Sequence, residues 1–237
     1  MAKTTKEAQE TKEIRRYIKL TFIEPVLGTW PSNENVARDF IASKAPDAST
    51  IEDEVAAVGV DAVADKAMTI FPRVDGKPVF YDYQIKGFFK DTCSALARAK
   101  YTKSSTLKAY KKVIDGMIFP FPRTIPIDVH GEIGECQRSL RAQTAQGERV
   151  SLANSEEIPA KSTIKFGVTL ADPAHEALLK EWLDNGFFRG LGQWRNSGKG
   201  RFVYKMLDKE GNNLGGTEDR FDYMMQEANF FPEEKAG

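Results

Sequence analysis

The sequence is poor in the residues that most metal and catalytic sites use: among 237 residues there are two cysteines and two histidines. Cys93 and Cys136 lie far apart and in no CxxC pattern, which leaves neither a disulfide framework nor a zinc knuckle and predicts reduced thiols. No stretch approaches the ~20 apolar residues of a membrane span. The first residues, MAKTTKEAQETKEIRR, are charged without an apolar core, so a cytoplasmic protein with no membrane partner is expected. HExxH, GxGxxG, a nucleophile elbow and the phosphate-loop spacing GxxxxGK(S/T) are all absent. Glu52, Asp53 and Glu54 fall on successive positions of a predicted helix and do not converge on one ion. No metal site and no cofactor are therefore expected. Net charge is absent too, with 34 basic residues against 34 acidic ones, which excludes a general polybasic binder.

Charge is instead segregated. Asp47 to Asp65 carries six acids and no Lys or Arg, Gln84 to Lys112 carries eight basic residues against the single Asp91, and Glu218 to Glu234 is acidic again. Such blocks suit a protein with one binding side, or copies that meet head to tail. The most informative stretch is Gly186 to Lys205, GFFRGLGQWRNSGKGRFVYK, which is aromatic, glycine-rich and basic and holds no acid. Gly190, Gly192, Gly198 and Gly200 permit left-handed turns and close backbone approach, Arg189, Arg195, Lys199 and Arg201 are able to neutralise phosphates, and Trp194 offers a flat face to a base. The plain alternative is a glycine-containing hairpin with solvated charges.

Around this stretch the chain reads as strands and helices in mixed order. Residues 1–14 form a flexible extension, and YIKLTFI over 17–23 alternates as a first strand. Asn33 and Ser49 open two acidic helices within a helical insertion over 33–60. MTIFP and PVFYDY, flanking a V-D-G-K turn, read as a hairpin over 68–83. A helix follows over 84–99, with a second, basic one over about 105–114. GMIFPFPRTIPIDV is strand-like but interrupted by three prolines, which predicts edge strands or an irregular hairpin. A projecting β-hairpin insertion over 130–160 carries Arg138 and Arg141, and KSTIKFGVTL is a strand. Asp172-Pro173 starts a helix that Asn185-Gly186 is expected to stop, with strands at Phe187 and Arg201 on either side of the glycine loop. GNNLGG reads as a loop, and 211–237 as a tail or docking segment. The order gives an α+β domain over 15–210, a mostly antiparallel sheet with helices on one face.

Three motifs in this order resemble those of the RAMP superfamily, the ferredoxin-like, RNA-recognition-motif-like proteins of CRISPR systems. YIKLTFIEPVLGTW is similar to the family's first strand with its glycine segment, YDYQIKGFFKD keeps Ile85-Lys86-Gly87 without the preceding Pro-Gly, and RGLGQWRNSGKGRF resembles the glycine-rich loop. The chain is similar as well to proteins of bacterial phages and prophages. The resemblance implies a diverged relative with a ferredoxin-like (RRM-like) fold. It also implies a glycine loop packed near nucleic-acid backbone, and basic helix residues along a groove.

The expected function is non-catalytic binding of single-stranded nucleic acid, RNA ahead of DNA, with CRISPR or phage proteins or further copies as partners. The expected contacts are Arg189, Gly190, Gly192, Trp194, Arg195, Gly198, Lys199, Gly200 and Arg201, with Lys86, Lys90, Arg138 and Arg141 behind them. Two alternatives stay open at this point. His130, beside Gly131 and Glu132, is a candidate base for metal-independent RNA cleavage with Lys199 or Arg195 on the phosphorane. A protein assembly subunit that copies the shape of a CRISPR backbone subunit is the other.

Overall fold

A computed structural model describes residues 13–31, 68–144 and 147–220; over 140–144 and 147–152 it describes the backbone alone. The first strands are β1 (Ile14–Phe22), β2 (Val26–Leu27), β3 (Trp30–Pro31), β4 (Thr69–Ile70), β5 (Arg73–Val74) and β6 (Lys77–Tyr81). Helices α1 (Asp82–Leu96), α2 (Lys103–Thr106) and α3 (Tyr110–Met117) follow, then β7 (Ile118–Phe121), β8 (Thr124–Asp128), β9 (Gly134–Thr144), β10 (Gly147–Ile158) and β11 (Thr163–Leu170). Helix α4 (Glu176–Arg189), β12 (Phe202–Leu207) and β13 (Asn213–Gly216) complete the described chain.

Alternation in β1 sends Ile18, Leu20 and Phe22 to one face, where they are buried, and leaves Tyr17 and Lys19 on the other. Strand β1 lies between β11 and β12, antiparallel to both, and β7 lies antiparallel on the far side of β11. With α1 between β1 and β7 and α4 between β11 and β12, this is the βαββαβ order of a ferredoxin-like α+β fold, its strands arranged β12-β1-β11-β7. The sheet is enlarged by β13 beyond β12, and by β8, β6 and β5 beyond β11. A second sheet holds the long hairpin β9–β10, paired at its base with β2 and β4.

Both long helices cover the face that β1 buries. Ile85, Phe88, Phe89, Thr92 and Cys93 give α1 one buried stripe, and Leu178, Leu179, Trp182, Leu183 and Phe187 do the same for α4. The stripes meet where the Phe89 and Trp182 rings pack 5.5 Å apart, and Phe88 meets Phe202 of the sheet at 5.3 Å. Burying each such side chain contributes about 1.5–3 kcal/mol. Helix α2 is held from α4: Glu181 accepts from the Lys103 amide at 2.6 Å and from the Ser104 amide and hydroxyl at 2.9 and 2.6 Å, while the Trp182 indole donates to Ser104 Oγ at 2.9 Å.

Several elements differ from the sequence-based expectation. Gly186 does not stop its helix; α4 runs on through Phe187 and Phe188 to Arg189, and the glycine is there for packing, since the ring of Phe202 fills the place where a Cβ at 186 would stand. Thr69–Ile70 joins the second sheet, and the hairpin turns on Asp75-Gly76, both at positive φ, between Arg73–Val74 and Lys77–Tyr81. The basic helix is two, broken before Tyr110 by Ala109 at φ 50°. The proline-rich segment forms β7 and β8, and β8 is interior, between β11 and β6. GNNLGG supplies β13. The helical insertion over 33–60, residues 1–12 of the expected 1–14 extension and the end of the chain from residue 221 lie outside the described residues, and Ile14 already belongs to β1. Among the described residues no helix is long and apolar enough to cross a membrane.

Candidate nucleic-acid interface

The glycine loop is a closed neck with a docked tip. Gly190 ends α4 at φ 73°, and Gly200 leads into β12 at φ 71°. The Leu191 amide donates to the Gly200 carbonyl at 2.9 Å, and the Gly200 amide donates to the Pro25 carbonyl at 2.8 Å. A Cβ at 190 would meet the Lys199 carbonyl, and one at 200 the Leu191 carbonyl, so both conformation and space require glycine there. Gly192 and Gly198 share the left-handed backbone, and Leu191 is buried beneath the loop.

Every cation expected on the loop has a protein partner. Arg189 grips Asp91 of α1 with Nε to Oδ2 at 2.7 Å and Nη2 to Oδ1 at 3.1 Å, and Arg195 reaches the same Oδ2 at 2.6 Å. Partial burial of the Asp91 carboxyl opposes ionisation, but the hydrogen bonds and charges of the two arginines outweigh it and hold its pKa below the ordinary carboxylate value. Lys199 pairs with Glu157 of β10 at 2.9 Å, and Arg201 donates to the Phe187 carbonyl at 2.7 Å while lying over that ring. Arg138 of β9 donates to Ser197 Oγ at 2.7 Å, and its guanidinium lies 4.5 Å from the Trp194 ring centre. Trp194 itself has φ 57°, a left-handed backbone that a bulky residue adopts only at a cost in strain. The hairpin base and the glycine loop thus form one surface, in which Arg189, Arg195 and Lys199 pair with the carboxylates Asp91 and Glu157 while Arg138 and Arg201 bond neutral oxygens.

The second-rank residues are placed less uniformly. Lys86 and Lys90 are tied to Asp115 of α3, through its carbonyl at 3.1 Å and its carboxylate at 2.6 Å, and Lys86 lies over the Phe119 ring. No bond among the described residues joins them to the loop. Arg141 is placed by backbone register alone, opposite Val150. The exposed His130 donates its amide to Ser162 Oγ at 2.9 Å, and no hydrogen bond among the described residues reaches its imidazole. Lys199 and Arg195, its suggested helpers, are held by Glu157 and Asp91. Among the described residues no three His, Cys, Asp or Glu side chains gather as metal ligands would.

The three motifs meet in space. A cleft of about 320 Å³ is lined by Thr29 and Trp30 after β1, by Gln84 and Gly87 of α1, and by Gly192 and Arg195 of the glycine loop. Gln84 ties its walls together, donating to Thr29 Oγ1 at 2.6 Å and accepting from the Tyr81 amide at 2.7 Å. Asp91 is the residue that reading by type overlooks, although it stands out as the lone acid of a basic run. Glu157 carried no such signal.

No family model matches the chain, and no curated protein matches it. Among solved structures it is similar to a chain of the Type III-B Cmr-beta complex bound to cognate target RNA, with TM-score 0.44 and 11% identity over 81% of this chain and 58% of that one. It is also similar to a chain of a Type IV-B CRISPR complex, with TM-score 0.39 and 11% identity over 83% of this chain and 91% of that one. The chain thus spans less than two thirds of the first neighbour's length.

Proposed function

We propose that this protein is a non-catalytic, cytoplasmic, single-stranded nucleic-acid-binding protein of RAMP type, with RNA ahead of DNA as its ligand, acting in a CRISPR-related or phage-encoded assembly. The observation that carries the reading is the convergence of the segment after β1, the start of α1 and the glycine loop on one cleft, beside a surface with more cations than carboxylates. Pairing with Asp91 does not use up the arginines: a guanidinium has five N–H donors, and Arg189 spends two on the carboxylate and Arg195 one. The remaining donors, with Lys199 and Arg201, are the phosphate contacts. Gly190, Gly192, Gly198 and Gly200 hold the loop close enough for backbone to approach backbone.

Trp194 presents one ring face to Arg138 and offers the other to a base, in keeping with the sequence-tolerant stacking of single-strand binders. Lys86, Lys90 and Arg141 are the further phosphate contacts of this reading. The cleavage reading with His130 has less behind it, because among the described residues no hydrogen bond reaches its imidazole and none joins it to the loop. Binding of labelled single-stranded RNA and DNA, followed by fluorescence anisotropy against salt, tests the proposal, and incubation of the same RNA with the His130→Ala variant tests the cleavage alternative.

A further inference from the structure

The sheet face that turns away from the helices carries a second collection of cations. On β1 the buried alternation of Ile18, Leu20 and Phe22 puts Tyr17 and Lys19 on this face. The strand register then sets Lys19 directly opposite Lys165 of β11 on one side and Lys205 of β12 on the other. Adjacent strands lie about 4.8 Å apart, so the three lysines form a row about 10 Å long across the middle of the sheet. Like charges directly opposite one another weaken a ladder. Among the described residues none of the three has a carboxylate within ion-pair distance. An arrangement that works against its own sheet is explained by a polyanion that lies across it.

The rest of the face says what kind of polyanion. All three lysines line a hollow of about 600 Å³ whose other walls include Tyr17, Phe121, Pro122 and Leu207, with Glu218 at its edge. Tyr17 is 40% exposed, and its ring meets Phe121 edge to face at 6.0 Å. Phe121 is able to lie there because Gly167, beneath it, has no side chain. A hollow of this size holds a molecule of a few hundred Å³. An aromatic and aliphatic wall beside three ammonium groups suits a ligand with a flat ring and phosphates.

We infer that this open sheet face is a second nucleotide subsite, in which Lys19, Lys165 and Lys205 contact phosphates of a single strand while one base sits against Tyr17 and Phe121. The inference rests on the proposed binding of single-stranded nucleic acid, and it places part of that strand on a face distinct from the glycine loop.

The test uses the full chain, a short fluorescein-labelled uridine oligonucleotide and the triple variant Lys19→Gln, Lys165→Gln, Lys205→Gln. Glutamine keeps a polar, unbranched side chain at the strand positions and removes the repulsion, so thermal stability is expected to stay level or rise. Affinity is expected to fall at least tenfold at about 50 mM salt, and the slope of log K against log salt to shrink by about two, the share of three phosphates on a single strand. Photocrosslinking with thiouridine, read by mass spectrometry, is expected to label Tyr17 or Phe121. If the native chain binds no single strand, the proposed function fails and this subsite with it. If the native chain binds and the triple variant keeps both affinity and slope, the subsite is overturned while the loop reading stands. If carbodiimide coupling joins these lysines to carboxylates of residues 221–237 equally with and without oligonucleotide, the face is the seat of the chain's own acidic end, and the inference is likewise overturned.

Discussion

The Arg138 guanidinium lies 4.5 Å from the centre of the Trp194 ring, so the long hairpin and the glycine loop meet through a cation and an indole. Trp194 holds a left-handed backbone at this contact, φ 57°, which glycine would adopt without strain. Stability and binding therefore make opposite demands on position 194. Trp194→Gly is expected to leave the melting temperature unchanged or raised, yet to weaken single-strand binding by on the order of 1–3 kcal/mol, the contribution of one stacked base. Anisotropy and calorimetry on the same sample read both. A variant that loses stability and keeps binding would mean that the tryptophan is only packing.

Asp91 organises the loop from α1, because Arg189 and Arg195 both depend on it. Its pKa in the folded state is depressed, so its stabilising contribution is present above the unfolded carboxylate value of about 3.9 and is lost as pH falls through the folded value. Amide exchange in residues 190–200 is expected to accelerate relative to the sheet on acidification below about pH 4. Asp91→Asn should produce the accelerated state at neutral pH and reduce stability by about 1–2 kcal/mol, since hydrogen bonds to a charged group are replaced by weaker ones.

Gly200 is the narrowest point of the neck. Its φ of 71° and the Leu191 carbonyl in the place of a Cβ leave no room for alanine. Gly200→Ala is expected to cost about 1–3 kcal/mol, which in a domain of this size lowers the melting temperature by about 2–4 °C per kcal/mol. Gly211, also at positive φ but with open space around it, is the comparison: Gly211→Ala should show the smaller loss.

Glu181 gives a control that separates fold from function. Its carboxylate takes two amides and a hydroxyl at the start of α2, and among the described residues no hydrogen bond or ion pair joins it to the loop or the hairpin. Glu181→Ala is expected to cost about 1–2 kcal/mol, as the loss of a helix cap does. Its affinity for single-stranded nucleic acid should equal that of the native chain at temperatures where both are folded.

What could be read in the sequence was local. The alternation of Ile164, Phe166, Val168 and Leu170 marked a strand, and Asp172 before Pro173 marked a helix start; in the fold Asp172 accepts from the Ala174 amide at 2.8 Å. What escaped depended on partners far along the chain. Gly186 looked like a stop because Asn-Gly commonly is one, whereas it sits inside α4 to admit the ring of Phe202. Thr69–Ile70 looked like half of a hairpin because its neighbours were, but Ser155 of β10 claimed it. The loop cations looked free because Asp91 lies about a hundred positions earlier, and the lysine row was invisible because only strand register puts Lys19, Lys165 and Lys205 side by side.

Phosphate contact between single strands and the surface around the glycine loop is the core of the proposed function. Its most direct test is the dissociation constant of labelled single-stranded RNA measured at several salt concentrations between about 50 and 200 mM, for the native chain and for a variant with Arg138→Gln and Lys199→Gln. The native chain is expected to bind and to weaken steeply with salt, and the variant to bind less tightly with a slope smaller by about one to one and a half. A native chain that shows no binding at the lowest salt, or a variant with the same affinity and the same slope, would contradict it.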